Sequence, residues 1–313
     1  MKKSRLTIAT RGSMLALWQA NFIKDSIEHE HPGISVELLK IKTTGDKILD
    51  VPLAKVGGKG LFVKEIEEAL LDGRADLAVH SLKDVPTDLP EGLGLSAITG
   101  REDARDALIS HTDKTLMELP DKAVIGSSSL RRRCQLLKVR PDLNIVSLRG
   151  NLDSRLKKVE RGEFDAIILA AAGMNRLGWQ DRITELISTD ILLPAICQGA
   201  LGIETRNADK ETNSLIEFLN HVDTATAAKA ERACLKRLEG GCQVPIAAYG
   251  EVLRENIKIR GLVGSIDGKT LVTDETEGDI ADPETLGINL AESLLGKGAG
   301  KILEEVYSLG LDK

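Results

Sequence analysis

Residues 123–140 read AVIGSSSLRRRCQLLKVR, and this stretch decides the fold class. The short apolar run is typical of a buried strand, the three serines of a turn, and the segment after them of a helix that stops at Pro141. A strand that passes through a polar turn into a helix is the repeating unit of α/β proteins. We therefore predict an α/β unit here, with a polar turn at the carboxyl end of its strand.

The same alternation of strand and helix extends in both directions from this stretch. Further strands are predicted at RLTIAT (5–10), ISVELLKIKT (34–43), ADLAVHSL (75–82), LNIVSLRG (143–150) and FDAIILAAAG (164–173). Further helices are predicted at MLALWQANFIKDSIEHEH (14–31), FVKEIEEALLDG (62–73) and LDSRLKKVERG (152–162). This order favours parallel strands joined by helical crossovers. Because the pattern restarts after about Arg101, we predict two α/β lobes with a ligand cleft between them.

The pattern changes after about Ala225. Residues 225–241 are typical of a helix, and residues 249–278 of antiparallel strands joined by turns such as Asp267-Gly268. A last helix is predicted from about Pro283 to Gly296. These elements indicate a third, smaller α+β domain.

The composition excludes several classes of protein. The formal net charge is −6 and aromatic residues make up 3% of the chain, which disfavours nucleic-acid binding through the RRR run. No apolar run is long enough to span a membrane, and none forms a signal peptide, so we expect a cytoplasmic protein. The spacing of the four cysteines does not fit a zinc site, and four cysteines are too few for a disulfide framework in a chain of this size. We expect Cys134, Cys197 and Cys234 to pack in cores.

Polar and cationic residues follow almost every predicted strand. These residues are Arg11, Ser13, Lys83, Asp84, Ser127, Ser128, Ser129, Arg131, Arg132, Arg149, Arg155 and Arg176. Ligands of open α/β sheets bind beyond the carboxyl ends of the strands, where helix N-termini and arginine side chains favour anions. A solvated cationic face remains the alternative for any single arginine. The set as a whole predicts a ligand with several negative groups.

Three other features are less specific. The stretch LAKVGGKGLF departs from the phosphate-binding G-x-x-x-x-G-K-[ST] motif. We interpret residues 43–60 as a loop that carries Lys55 and Lys59 over the cleft. A plain solvated loop is the alternative. Asp84 is either an acid/base group or counter-ion, or a structural residue that forms a salt bridge to Lys83 or a helix cap. His80 is predicted to be a buried strand residue.

One cysteine stands in an unusual context. Cys242 lies in LEGGCQVPI (238–246), directly after two glycines and shortly before a proline. Glycine and proline indicate an exposed loop, whereas free cysteine usually packs in the interior. An exposed thiol at this position indicates a functional group, with a structural cysteine in a tight turn as the alternative.

Together these stretches resemble one family. IATRGSMLALWQA, PLAKVGGKGLFVKEIE, HSLKDVP, GSSSLRRR, SLRGN, LAAAGMNRLG and LEGGCQVP, in this order, are similar to the porphobilinogen deaminase (hydroxymethylbilane synthase) family. The resemblance implies an α/β fold with two periplasmic-binding-protein-like lobes and a small α+β C-terminal domain. The domains are then predicted as 1–99 with 200–220, 100–199, and 221–313.

The resemblance also implies a reaction. A dipyrromethane cofactor is joined to Cys242 by a thioether, and four porphobilinogen molecules are added to it stepwise with loss of ammonia before hydrolysis releases hydroxymethylbilane. The pyrroles carry acetate and propionate groups, which suit an arginine-lined cleft. Loss of ammonia leaves an electron-poor azafulvene that a carboxylate facing the pyrrole N–H would stabilise. The protein is then a transferase of porphyrin and heme biosynthesis, expected to be a monomer and to bind neither nucleic acid nor membrane.

Residue roles follow from the same resemblance. Asp84 is the catalytic residue. The cofactor-binding residues are Cys242, Lys83, Asp84, Ser127, Ser128, Ser129, Arg131 and Arg132. The substrate-binding residues are Arg11, Ser13, Lys55, Lys59, Arg149, Arg155, Arg176 and, in the hinge stretch ICQGALG, Gln198. A two-lobed binding or sensor protein for a polycarboxylate is the alternative function, although such a protein needs neither Asp84 nor an exposed Cys242.

Overall fold

The computed structural model describes residues 3–47, 60, 62–240 and 244–309. The described residues form two compact units, one from residues 3–102 and 200–225 and the other from residues 103–199 and 226–309. The chain therefore passes into the second unit after Glu102, returns at Ala200 and leaves the first unit again after Ala225.

The elements of the described residues alternate as the sequence predicts for an α/β protein. The strands are β1 Arg5–Arg11, β2 Ser35–Ile41, β3 Leu77–Ser81, β4 Leu93–Ile98, β5 Asp106–Ser110, β6 Val124–Gly126, β7 Asn144–Val146, β8 Ala166–Ala170, β9 Glu185–Ile187, β10 Leu201–Arg206, β11 Ile246–Leu253, β12 Asn256–Gly264 and β13 Leu271–Asp279. The helices are α1 Met14–Glu30, α2 Thr44–Lys47, α3 Lys64–Leu71, α4 Leu130–Val139, α5 Leu152–Glu160, α6 Ala171–Arg176, α7 Lys210–Ile216, α8 Val222–Arg237, α9 Pro283–Gly296 and α10 Ala299–Ser308. Short 3₁₀ turns lie at Leu82–Asp84, Gln180–Arg182 and Glu217–Leu219.

The first unit is built on a five-stranded sheet with the order β2-β1-β3-β10-β4. Strand β1 is parallel to both β2 and β3, which confirms the predicted crossovers. Strand β10 is antiparallel to both of its neighbours. Helix α1 buries Ile23 and Ile27 against the apolar side chains of one sheet face, and α3 covers the other face with Ile66 and Leu70.

The second unit contains a five-stranded sheet with the same arrangement, in the order β7-β6-β8-β5-β9. Strand β6 is parallel to β7 and β8, and β5 is antiparallel to β8 and β9. In both sheets the antiparallel strand is the one that the chain forms just after it crosses between the units. Strands β4, β5, β9 and β10 were not predicted from the sequence.

The second unit also contains the C-terminal elements. Strands β11, β12 and β13 form an antiparallel sheet, and α9 packs on β12 and β13. Gly268 lies in the turn between β12 and β13 with a φ of 72°, a conformation that glycine adopts without strain. The predicted strands, turn and helix Pro283–Gly296 are confirmed, and α10 is an addition.

The fold class is therefore confirmed as α/β, with two five-stranded lobes and a small sheet-and-helix C-terminal part. The predicted domain boundaries stay predictions. In the part of the chain that the structure describes, no helix combines the length and the apolar character that a membrane crossing requires.

Candidate active site

Each unit collects predicted site residues at one edge of its sheet. In the first unit, Arg11 ends β1, and Asp84 follows β3. In the second unit, Ser127 follows β6 and Arg149 follows β7. Arg176 ends helix α6, which follows β8 directly. Because parallel strands end at the same edge, the strand-end prediction is confirmed within each unit.

Arg11 is held firmly in the first unit. Its Nη2 lies 2.5 Å from Oδ1 of Asp46, and its Nε lies 3.2 Å from the same oxygen. The ring of Phe62 lies under the guanidinium carbon, 4.3 Å from the ring centroid. Neither Asp46 nor Phe62 was predicted from the sequence.

Two residues fix the backbone around the ends of β1 and β3. Ser13 caps helix α1, since its hydroxyl accepts a hydrogen bond from the backbone N–H of Ala16 at 3.3 Å. Gln19, on the buried face of α1, donates from Nε2 to the hydroxyl of Ser81 at 2.9 Å. Gln19 was missed, although a polar amide among the apolar residues of a helix face is a readable signal.

Asp84 ends the short turn that follows β3. The turn is anchored by Leu82, which is fully buried, whereas Asp84 is exposed and Lys83 is half-buried. Among the described residues the Asp84 carboxylate has no hydrogen-bond or ion-pair partner. The alternative of a structural ion pair with Lys83 therefore does not hold, and the carboxylate is open to a ligand.

His80 lies in a buried ionisable cluster behind this turn. Its Nε2 is 2.9 Å from Oε2 of Glu204, which is fully buried on β10, so the prediction of a buried strand histidine is confirmed. Oε1 of Glu204 has no hydrogen-bond partner among the described residues. Burial, followed by the charge of Glu204, raises the pKa of Glu67 on α3 to about 7.

In the second unit the serine turn organises the start of α4. The Ser129 hydroxyl accepts the backbone N–H of Arg132 at 3.4 Å and caps the helix, while its own N–H donates to the Ser127 hydroxyl at 3.3 Å. Ser128 is exposed and donates from Oγ to the Leu148 carbonyl at 2.8 Å. The serines thus bind mainly to the backbone and shape the turn.

Arg131 and Arg132 share one buried carboxylate. Oδ2 of Asp106 lies 2.7 Å from Nη1 of Arg131, and its Oδ1 lies 2.6 Å from Nη2 of Arg132. Gln198, which is fully buried, donates to the same Oδ1 at 3.1 Å and to the Ala104 carbonyl at 2.7 Å. Burial opposes ionisation of Asp106, but the two guanidiniums outweigh it and hold its pKa well below the usual range.

Arg131 and Arg132 differ in how many of their side-chain nitrogens are hydrogen-bonded. Arg132 donates through Nε, Nη1 and Nη2, whereas Arg131 donates to the described residues through Nη1 alone. Nε and Nη2 of Arg131 therefore have no hydrogen-bond partner within the described residues. The predicted role of both arginines in binding the cofactor stays a prediction, and the signal that Asp106 would join them was absent from the local sequence.

The other predicted site arginines of the second unit differ in their hydrogen-bond partners. Arg155 donates from Nε to the Gly150 carbonyl at 2.7 Å, and Arg176 from Nη2 to the Gly199 carbonyl at 2.6 Å. Arg149 is half-buried without a hydrogen-bond or ion-pair partner in the described part of the chain, and burial lowers its pKa. A cation that is partly desolvated and unpaired is suited to an anionic ligand.

The family follows from sequence comparison. A family model described as "Porphobilinogen deaminase, dipyromethane cofactor binding domain" matches residues 6–214, and one described as "Porphobilinogen deaminase, C-terminal domain" matches residues 225–296. The chain belongs to the porphobilinogen deaminase family. A protein of Trichlorobacter lovleyi named porphobilinogen deaminase is 59% identical over 98% of each chain. One of Geobacter sulfurreducens with the same name is 58% identical over 98% of this chain and 96% of the relative.

Solved structures outside the family are similar at lower levels. The alkanesulfonate-binding protein SsuA from Xanthomonas axonopodis pv. citri has a TM-score of 0.39 and 15% identity, covering 76% of each chain. The methionine-binding protein MetQ has a TM-score of 0.42 and 13% identity, covering 73% of this chain and 95% of MetQ.

Membership of the porphobilinogen deaminase family confirms the predicted family and the predicted transferase of tetrapyrrole biosynthesis. It also confirms a domain that binds dipyrromethane. Cys242, Lys55 and Lys59 lie outside the described residues, so their predicted roles stay predictions. Cys134, Cys197 and Cys234 are fully buried as expected, and burial raises the pKa of the Cys134 and Cys234 thiols to about 12.

Proposed function

We propose that this member of the porphobilinogen deaminase family joins four porphobilinogen molecules stepwise on a dipyrromethane primer attached to Cys242, and then releases hydroxymethylbilane. The observation that carries the proposal is the Asp84 carboxylate, which lies exposed at the carboxyl end of β3 with no partner among the described residues. A carboxylate held at a ligand-binding edge without an ion pair is available to the reacting group.

The described residues fit a group that carries several carboxylates. Arg149 has no partner in the described part of the chain, and Arg131 keeps Nε and Nη2 free of protein acceptors there. Arg131 lies in the first turn of α4, where the helix dipole favours anions. Arg149 follows β7, the strand that pairs with β6. When bound, the dipyrromethane supplies the terminal pyrrole to which each new unit is joined.

The catalytic contribution of this chain is electrostatic. We assign Asp84 to face the pyrrole N–H of the reacting unit, with a carboxylate oxygen accepting its hydrogen bond. As ammonia leaves, positive charge develops on that ring, and a fixed carboxylate stabilises it without reorganisation. Leu82, fully buried in the same turn, anchors Asp84 at this position.

Substrate binding is assigned to cationic and neutral polar residues within each unit. In the first unit, Arg11 and Ser13 lie at the end of β1, and Lys55 and Lys59 complete the proposed set from outside the described residues. In the second unit, the set is Arg149, Arg155, Arg176 and Gln198. Gln198 ties the segment by which the chain enters that unit to the segment by which it leaves, because its amide donates to the Ala104 carbonyl. We propose that this contact lies in the hinge stretch ICQGALG and joins these two segments.

Intact-mass measurement of the purified protein tests the attachment. Protein made in cells that supply porphobilinogen should be heavier than its sequence by two pyrrole units, and Cys242→Ala should not. The matched control is Cys234→Ala, a buried cysteine that should retain the added mass. Equal added mass in wild type and Cys242→Ala would contradict the attachment, and added mass without product formation would support the binding-protein alternative. The same preparations test the proposed monomer by light scattering, and cell fractionation tests the proposed cytoplasmic location.

A further inference from the structure

Within the described residues, the Arg11 guanidinium is hydrogen-bonded along one edge only. Asp46 contacts the edge formed by Nε and Nη2, with Nη2–Oδ1 at 2.5 Å and Nε–Oδ2 at 3.3 Å. Arginine has a second edge, formed by Nη1 and Nη2, which can bind another carboxylate with two parallel hydrogen bonds. Nη1 of Arg11 has no partner among the residues that the structure describes.

Asp46 is itself fixed by its neighbours. Its Oδ2 accepts hydrogen bonds from the hydroxyl of Thr43 at 2.8 Å and from the Thr43 backbone N–H at 3.2 Å. Thr43 is fully buried, and the hydroxyl of the next residue, Thr44, donates to Oε1 of Glu65 on α3 at 2.5 Å. Burial opposes ionisation of Asp46, but the interactions with Arg11 and Thr43 outweigh it and lower its pKa. The carboxylate is therefore charged at neutral pH and cannot rotate without breaking these bonds.

Phe62 restricts the guanidinium in the remaining direction. The centroid of its ring lies 4.3 Å from the Arg11 guanidinium carbon, so an aromatic surface packs against the guanidinium. The side chains of Arg11 and Asp46 are only 23% and 19% exposed. The Arg11 side chain is thus ordered before a ligand binds, so that ligand binding costs less rotamer entropy.

We propose that Asp46 is a positioning residue that holds Arg11 so that its Nη1–Nη2 edge binds one carboxylate of porphobilinogen. The proposal rests on the substrate-binding role proposed for Arg11. Asp46 acts on binding and not on the loss of ammonia, because it contacts Arg11 and not the reacting ring. The opposite role, in which Asp46 competes with the substrate for Arg11, predicts tighter binding when Asp46 is removed.

Steady-state kinetics of the cofactor-loaded protein separate these roles. Asp46→Ala should raise KM for porphobilinogen about tenfold, the loss expected for one disordered charge-assisted contact, with kcat changed less than about threefold. Asp46→Asn keeps an acceptor without the charge and should lie between wild type and Asp46→Ala; it also serves if the alanine variant does not fold. Arg11→Ala should raise KM more than Asp46→Ala, and the double variant should be no worse than Arg11→Ala.

The matched control is Asp142→Ala. Asp142 binds Arg140 in the same side-on manner, with Nε–Oδ1 and Nη2–Oδ2 both 2.8 Å, but in the second unit, where Arg140 caps the C-terminal end of α4, opposite to Arg131 and Arg132. It should leave KM unchanged. An unchanged or lower KM in the Asp46 variants, or additive effects in the double variant, would overturn the positioning role. If Arg11→Ala itself leaves KM unchanged, the proposed role of Arg11 is wrong, and the proposal for Asp46 is wrong with it.

Discussion

The carboxylate of Asp106 receives hydrogen bonds from two consecutive arginines, with 2.7 Å to Nη1 of Arg131 and 2.6 Å to Nη2 of Arg132. All three residues are buried, so two positive charges share one negative charge in the interior of the second unit. The excess positive charge lies at the first turn of α4, where the helix dipole also favours anions. One buried carboxylate thereby orients both cations of the predicted cofactor site.

Replacement of Asp106 by asparagine should destabilise the second unit strongly. Removing one member of a buried ionic network leaves the other charges uncompensated, at a cost of roughly 3–5 kcal/mol in the free energy of unfolding. Urea unfolding monitored by circular dichroism measures the change. Asp142→Asn, in an aspartate–arginine pair that is only partly buried, is the control and should shift the midpoint much less. A shift as small as that of the control would show that the Asp106 network does not stabilise the fold.

Asp84→Asn should reduce turnover by about a hundredfold or more, because the amide carries no charge to stabilise the developing cation. The thermal midpoint should stay near wild type, since Asp84 has no partner among the described residues to lose. Single-turnover release of ammonia measures the chemical step directly. Asp88→Asn, an exposed carboxylate four residues further on, is the control. Near wild-type ammonia release in Asp84→Asn would remove Asp84 from the mechanism.

Glu67 should make stability fall as the pH rises. Burial and the charge of Glu204 raise its pKa in the folded protein from an ordinary value of 4.5 to about 7. The folded state then binds the extra proton between these values, so this contribution is complete below pH 4.5 and is lost as the pH rises through 7. Glu67→Gln should remove that slope and stabilise the protein at pH 8 by on the order of 1 kcal/mol.

Urea titrations at pH 5, 6, 7 and 8 measure this dependence, with Glu68→Gln as the control because Glu68 is the exposed neighbour on the same helix. Identical pH slopes for wild type and Glu67→Gln would contradict the prediction, whatever the absolute stabilities.

Arg149→Gln should separate stability from activity. Arg149 is partly buried without a partner among the described residues, so its loss should leave the fold equally or slightly more stable. Turnover should fall about tenfold or more, since a charge-assisted contact to a pyrrole carboxylate is lost. Product formation and urea unfolding are measured on the same preparation. Arg161→Gln, an exposed arginine, is the control. Wild-type product formation in Arg149→Gln would exclude its role.

The lobes could be predicted because their signals are local. Strands such as Arg5–Arg11 and Ala166–Ala170 are apolar runs bounded by helices, and the parallel arrangement follows from that alternation. The antiparallel strands were missed for the opposite reason. The missed strands include β5 (DALIS) and β10 (LGIETR), which the chain forms where it crosses between the units. Their positions also depend on pairing with strands that are distant in the sequence.

The candidate site likewise contains residues that were predicted from the sequence and residues that were missed. Arg11, Asp84 and Arg149 were identified because the carboxyl end of a strand can be read from the sequence. Asp46, Gln19 and Glu204 were missed. Gln19 could have been found from the local pattern, a polar amide on an apolar helix face. Glu204 contacts its partner His80 across 124 residues of chain, a separation that no local pattern encodes.

The sequence by itself therefore determined the α/β class, the strand ends that carry the polar residues, and the family, because periodicity and motif order are properties of neighbouring residues. Only the tertiary structure decided which cations are already paired. Arg132 donates through all three of its side-chain nitrogens, whereas Arg149 has no partner in the described part of the chain, although the sequence presents both as cations beyond a strand. The physical reason is that burial and pairing depend on side chains brought together from distant segments, such as Asp106 on the strand that enters the second unit.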